Sequence, residues 1–425
     1  MFNETEPPLF KIFVYLIFLL LSFDVSSQDL YLAGFSFIGD TTENSNYPVA
    51  VDLYKNNPLI LNQQLKESLK KLKRKDINII SDTNGSIKTG NAVALAYGLQ
   101  KESIATYQIE GGYQTKFEIS GLIYLFDFAD NEHKLIASFP TGSTVTVTSN
   151  DRLTRKEVKN YFENMYLPNK NPTSINITFD KASESSGMPS VSVFDTWVAR
   201  LDNANITRAK KDNKLQVRSI MLDDAVVAQL PNNSDYLKDK KALITETARN
   251  FERDLSAYQN VPLLPYSVGQ AIGGLMIARF GDTNFEVKIP PADFVIDILV
   301  REFKKSYVDN KLFDGFIYGA FITLKVVGTD LNDTKLESKF NYKTAADTCD
   351  KGDSKDAIIC VQFPKKYKVK IEDDWPFWIG SQKKLFEILT KQISQRDDKQ
   401  LAVITNNPNI KDDLKKFEMV IINCR

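Results

Sequence analysis

PPADFVIDILVREFKKSYVDNKLFDGFIYGAFITLKVVG, residues 290–328, holds two apolar segments around a polar turn built from Asp309, Asn310, Lys311, Asp314 and Gly315. In the second segment Phe316, Tyr318, Ala320, Ile322, Leu324 and Val326 share one face, while Ile317, Gly319, Phe321, Thr323, Lys325 and Val327 share the other. A period of two with one drier face predicts a strand. The first segment alternates Phe294, Ile296, Ile298 and Val300 with Val295, Asp297, Leu299 and Arg301. Phe294, Val295, Ile298, Leu299 and Phe303 also fit a helical period, but the β-branched content favours a strand, and the stretch is read as a hairpin. At roughly 3.3 Å per residue its strands are long, so the ribbon either covers a core sheet or projects toward a neighbouring subunit. Asp297, Arg301 and Lys325, on the mixed face, are the candidate interface residues.

Working outward, residues 30–38, 77–80, 107–128 and 135–139 read as strands, and 59–72, 90–100 and 154–166 as helices. Thr154 with Glu157 makes a capping box for the last of these. Residues 191–201, 215–222, 285–289, 361–371 and 417–423 read as further strands. Helices are expected over 236–258, 267–279 and 382–393. Pro168, Pro172 and the SESSG run ending at Gly187 mark a linker. The expected fold is α/β (α+β): an N-terminal domain over 28–168, a linker over 169–190 and a C-terminal domain over 191–425, each a mixed, largely antiparallel sheet with helices packed on it. Residues 92–139 and 272–327 follow a comparable order of helix, strand, turn and strand, which raises the question of an internal repeat.

Residues 1–27 read as a cleaved signal peptide. Lys11 precedes an unbroken apolar run over 12–21, and Val25, Ser26 and Ser27 supply small residues for cleavage after Ser27. The run is short for a membrane span of about 20 residues, so an uncleaved anchor is the lesser alternative. Export suits the cysteines: Cys349 and Cys360 bracket a polar loop and form a candidate disulfide, with Cys424 a buried thiol or an alternative partner. Basic and acidic residues number 54 each, a balance that gives no sign of a nucleic-acid partner. Apolar content of 43% is that of a chain with a real core.

The only histidine, His133, sits in a polar turn, which argues against a histidine-based triad and a two-histidine metal site. No phosphate-cradling loop or nucleophile elbow is present, and no cofactor or metal is expected. Carboxylates remain, because an acid/base pair needs no histidine. The adjacent pairs Asp223–Asp224 and Asp373–Asp374 read by default as solvated turns. Asp373, Asp374, Trp375, Phe377 and Trp378 form the candidate binding patch, where aromatics beside acids suit a sugar ring or a protein anchor. The competing reading has Trp375 and Trp378 plugging a sheet-to-helix junction.

LYLAGFSFIGD (30–40) followed by the helix over 59–72, and PPADFVIDILVREFKK (290–305) with FIYGAFITLKVVGTD (316–330), resemble the opening strand and helix and the strand pair of envelope domains of the CsgG, TolB amino-terminal and LpoB type. The chain departs from several of these in lacking a lipidated cysteine. The resemblance implies a periplasmic α/β module docking on an outer-membrane machine, with membrane contact indirect and envelope proteins, or further copies of itself, as partners. The expected function is that of an exported, non-enzymatic envelope protein acting through protein–protein contacts. The alternative is a secreted carbohydrate-binding protein or carboxylate-dependent glycosidase using the tryptophan patch.

Overall fold

A computed structural model describes residues 28–39, 46–81, 93–109, 112–127, 133–168, 192–206, 213–230, 240–266, 273–309, 313–328, 333–343, 360–364 and 374–425. The first half contains β1 (Gln28–Ile38), α1 (Pro48–Asn56), α2 (Ile60–Leu69), β2 (Ile77–Ile80), β3 (Val93–Ile109), β4 (Gly112–Asp127), β5 (Lys134–Ser149), α3 (Arg155–Tyr166) and α4 (Val193–Asn203). The second contains β6 (Leu215–Leu222), α5 (Asp224–Val227), α6 (Lys240–Gln259), β7 (Gly274–Phe280), β8 (Thr283–Ile289), β9 (Phe294–Asp309) and β10 (Phe313–Gly328). It continues with β11 (Thr334–Lys343), β12 (Cys360–Pro364), α7 (Trp375–Gln395), α8 (Asp398–Ile404) and α9 (Ile410–Cys424). The chain is thus mixed α/β with helices on two sheets, the expected fold class.

The quoted stretch forms the hairpin β9–β10, paired from Phe294 with Gly328 out to Asp309 with Asp314. It is the centre of the second sheet, ordered β11-β10-β9-β6, with β12 beside the outer part of β10. Ile296, Ile298, Val300, Ile322, Leu324 and Val326 turn to the helices and join Phe251, Phe386, Leu389, Leu414 and Phe417 in one core.

The first sheet runs β2-β1-β3-β4-β5-β8-β7, and β7 returns to pair with β1 at Phe37 and Ile38. Six strands therefore close into a ring, using a hairpin from the second half. Leu95, Tyr97, Leu99, Ile123 and Leu125 face α1 to α4 in one core. Ala94, Ala96, Leu122, Tyr124 and Phe126 point the other way, into a second core roofed by Met276, Ala278, Val287 and Ile289. Val295 and Val327 of the second sheet enter that same core, so it is shared between the halves.

The halves share more than an element order. In each, a first strand lies parallel to the opening of a long antiparallel meander: β1 on β3, β6 on β9. Bulges then recur at matching places. On the first strand the extra residue is Ala33 or Arg218, three after the residue paired with the start of the meander. On the first meander strand it is Gln100 or Arg301, seven after the start. On the third it is Ile136 or Lys335. The repeat is real at the level of topology, but its frame aligns Val93 with Phe294, which differs from the frame in which residues 92–139 face 272–327.

Four segments take a different form from the sequence expectation. Residues 90–100 read as a helix, yet Val93 opens β3; it is apolar on both sides because each face meets a core. Residues 267–279 also read as a helix, but Gly274–Phe280 is β7. Residues 191–201 read as a strand and form α4, capped reciprocally by Ser192 and Asp195. Residues 417–423 read as a strand and belong to α9, whose Ile410, Leu414, Phe417 and Ile421 recur at helical spacing on its buried side. Helix α4, though it follows the predicted linker, packs into the first core through Phe194, Trp197 and Leu201.

Candidate functional site

The candidate aromatic patch begins α7. Trp375 is 3% exposed and Phe377 5%, so neither offers a ring face to a ligand. Trp375 meets Phe303 and Trp378 edge-on, at 5.6 and 5.3 Å between centroids, and Phe377 stacks on Tyr318 at 4.8 Å. Trp378 is partly buried and donates its indole N–H to the Lys304 carbonyl at 3.1 Å. Asp374 accepts from the Tyr318 hydroxyl and the Lys305 ammonium, each at 2.7 Å. The cluster locks the helix onto the outer part of β9 and β10, the role of a sheet-to-helix plug. Asp373 and Cys349 lie outside the described residues, and Cys360 opens β12. Cys424 is buried on α9, in the second core. His133 packs its ring on Phe285 at 3.8 Å, and burial lowers its pKa.

Asp297, Arg301 and Lys325 fall together on the face of the second sheet that turns away from the helices. Register lays this face out in rows. Ser219, Asp297, Lys325 and Glu337 are neighbours across β6, β9, β10 and β11; the next row is Met221, Leu299, Thr323 and Lys339; beyond it Glu302 and Phe321 pair beside the bulged Arg301. Arg218 and Asp297 form a bidentate pair, joined by the Ser219 hydroxyl at 2.6 Å from the carboxylate. Lys325 approaches Glu337 at 3.4 Å. The Phe321 ring lies under two cations, Lys304 Nζ at 5.2 Å and the Arg301 guanidinium at 6.0 Å from its centroid. Arg301 Nε, although buried, meets no acceptor among the described residues. Met221 is 52% exposed.

The corresponding face of the first sheet looks quite different. Ala96, Gly98, Leu122 and Tyr124 stand where the second has Asp297, Leu299, Thr323 and Lys325. Ala96, Leu122 and Tyr124 lie under β7 and β8; among the described residues no element covers the second face beyond Val295 and Val327. Leu299 and Phe321 were legible in the alternation of the quoted stretch. Met221 was not, because it joins them only through the parallel pairing of β6 with β9.

A buried ionic cluster, which sequence reasoning missed, ties the halves together. Glu118 on β4 accepts from Arg253 on α6 and Lys383 on α7, each at 2.8 Å, and Lys383 reaches Glu246 at 3.3 Å. Burial raises the Glu118 pKa, but Lys383 and Arg253 outweigh it and hold the carboxyl well below its usual range. Glu102 and Glu252 go the other way. Burial lifts Glu102 to about 7 despite hydrogen bonds from the Val49 and Ala50 amides and the Tyr166 hydroxyl. It lifts Glu252 to about 8 despite the Tyr266 amide. A perturbed carboxyl can mark a catalytic site, but these two are only 7% and 2% exposed and grip a helix N-terminus and a loop. Among the described residues no group of histidine, cysteine and carboxylate side chains is arranged to hold a metal ion, and no helix is long and apolar enough to cross a membrane. Compared with known proteins, the chain matches no family model and no curated relative.

Proposed function

We propose that the chain is an exported, non-enzymatic protein of the cell envelope that works through protein–protein contacts made by the uncovered face of the second sheet. One observation carries the reading: of two corresponding faces, one is roofed by β7 and β8 and the other holds Met221, 52% exposed, beside the half-buried Leu299 and Phe321. Exposed apolar groups rimmed by charge are the composition of a contact surface. Export rests on the leader read at residues 12–27. The carbohydrate reading loses its support, since Trp375 and Phe377 are spent on the core.

Met221 and Met419 are each 52% exposed, which makes them a matched pair for methionine footprinting. In the purified protein both should oxidise at similar rates. In producing cells Met221 should be protected several-fold relative to Met419. An unchanged ratio between cells and purified protein would overturn the proposal.

A further inference from the structure

We infer that the occupant of this face is an extended, strand-forming segment of another protein, with apolar residues for Met221, Leu299 and Phe321 and a carboxylate for Arg301. The inference rests on the contact reading above and names the partner's chemistry. The molecule itself shows what suits such a face. The corresponding surface of the first sheet is covered by the hairpin β7–β8, whose Met276, Ala278, Val287 and Ile289 point into the shared core. Extended chain packs well on a sheet because its alternate side chains match the pleat.

Charge selects the partner's sign. Among the described side chains, Arg218, Arg301, Lys304, Lys325 and Lys339 share the face with Asp297, Glu302 and Glu337, two cations in excess. Arg218 is neutralised by Asp297, Lys304 by Glu302 at 2.9 Å and Lys325 by Glu337. Arg301 has instead a 3.4 Å contact from Nη2 to the Phe340 carbonyl and an Nε without an acceptor. A guanidinium held against an aromatic ring, with no carboxylate paired to it among the described residues, is suited to one. The same excess argues against a second copy: two such faces laid together would bring Arg301 and Lys339 of each toward cations of the other.

The probe is a short disulfide-closed β-hairpin presenting valines and one glutamate on its binding face, titrated into residues 28–425 at low salt and followed by fluorescence anisotropy. Its twin carries lysine in place of the glutamate. The glutamate hairpin should bind at least roughly tenfold more tightly than the twin, the value of a charge-assisted hydrogen bond. Arg301→Gln should remove that difference, Met221→Asp should abolish binding of both, and Met419→Asp should change neither. Equal affinity for the twins, or an undiminished preference in Arg301→Gln, overturns the inference. So does a dimer, seen by light scattering, that Met221→Asp dissociates, because it would give the face to a second copy. If Met221 is protected in cells but the glutamate hairpin fails to bind, the partner's chemistry falls and the contact reading stands. If Met221 is unprotected, both fall.

Discussion

Glu252 is 2% exposed, yet its carboxyl belongs to a helix that must pack against sheet and helices at once. Among the described residues it accepts from the Tyr266 amide, at 2.7 Å, which fastens the segment leaving α6. Burial therefore dominates and raises the pKa from 4.5 to about 8. The folded protein then holds this proton more tightly than the unfolded chain. Its contribution is fully present below pH 4.5 and is lost as pH climbs toward 8. Glu102, raised to about 7, acts in the same window. Glu246, where burial is outweighed by Lys383 and Arg249 so that the pKa falls to about 2, acts in the opposite one: its stabilisation is present above 4.5 and fades under acid. Glu252→Gln keeps an acceptor for the Tyr266 amide and removes the titration. Urea midpoints should show it equal to wild type near pH 4.5 and more stable by a few kcal/mol at pH 8.5. A variant that parallels wild type across that range would mean Glu252 is not the buried acid described.

Helix α4 lies on β4 through one close contact. A Cβ built on Gly121 would stand 2.6 Å from the Trp197 ring and 2.6 Å from the Gly98 carbonyl, and the Trp197 ring also stacks on Tyr97. Gly142, on the neighbouring strand, would meet nothing closer than the Ile119 carbonyl at 3.3 Å. Gly121→Ala should therefore cost about 3 kcal/mol and perturb Trp197 fluorescence, while Gly142→Ala should cost under about 1 kcal/mol. Thermal unfolding of the two side by side checks this, and equal losses would remove the special role of Gly121. The same elements show what a sequence can and cannot tell. β2, β6 and the Thr154 cap were legible because one buried face or one local hydrogen bond defines each. β3 was not, because Ala94 and Ala96 are buried as deeply as Leu95 and Tyr97, which erases the period of two. α4 was hidden by its aromatic and β-branched residues, although Ser192 three before Asp195 is a capping signal that would have found it. For the site, the strand alternation of 290–328 placed Asp297, Arg301 and Lys325 on one face. What leaves that face open depends on where β7 and β8 go, and that is a tertiary fact.

The ring of the first sheet is closed by a hairpin that the chain supplies from its second half, and the core under that hairpin also takes Val295 and Val327 from the second sheet. Glu118, Arg253 and Lys383 add an ionic tie between β4 and the helices of the second core. Two repeats joined only by a linker would unfold independently; two that share a core and a buried ion cluster should unfold as one unit. The three tryptophans report on this cleanly, because Trp197 lies in the first core while Trp375 and Trp378 belong to the second. Replacing Trp197 by Phe, or Trp375 and Trp378 together by Phe, gives one protein that reports on each half. Their urea transitions should coincide in midpoint once corrected for the stability lost to each substitution. Glu118→Gln takes from Arg253 and Lys383 the acid they share, leaving Arg253 beside Asp254 at 3.5 Å and Lys383 beside Glu246 at 3.3 Å, a loss of about 3 kcal/mol. Because that loss falls on the tie between the halves, it should draw the two tryptophan signals apart, whereas an equally costly Gly121→Ala should shift them together. Separate transitions in the parent proteins would show that the shared core does not couple the repeats. Coincident transitions that Glu118→Gln merely lowers would assign the coupling to the hairpin and its apolar core alone.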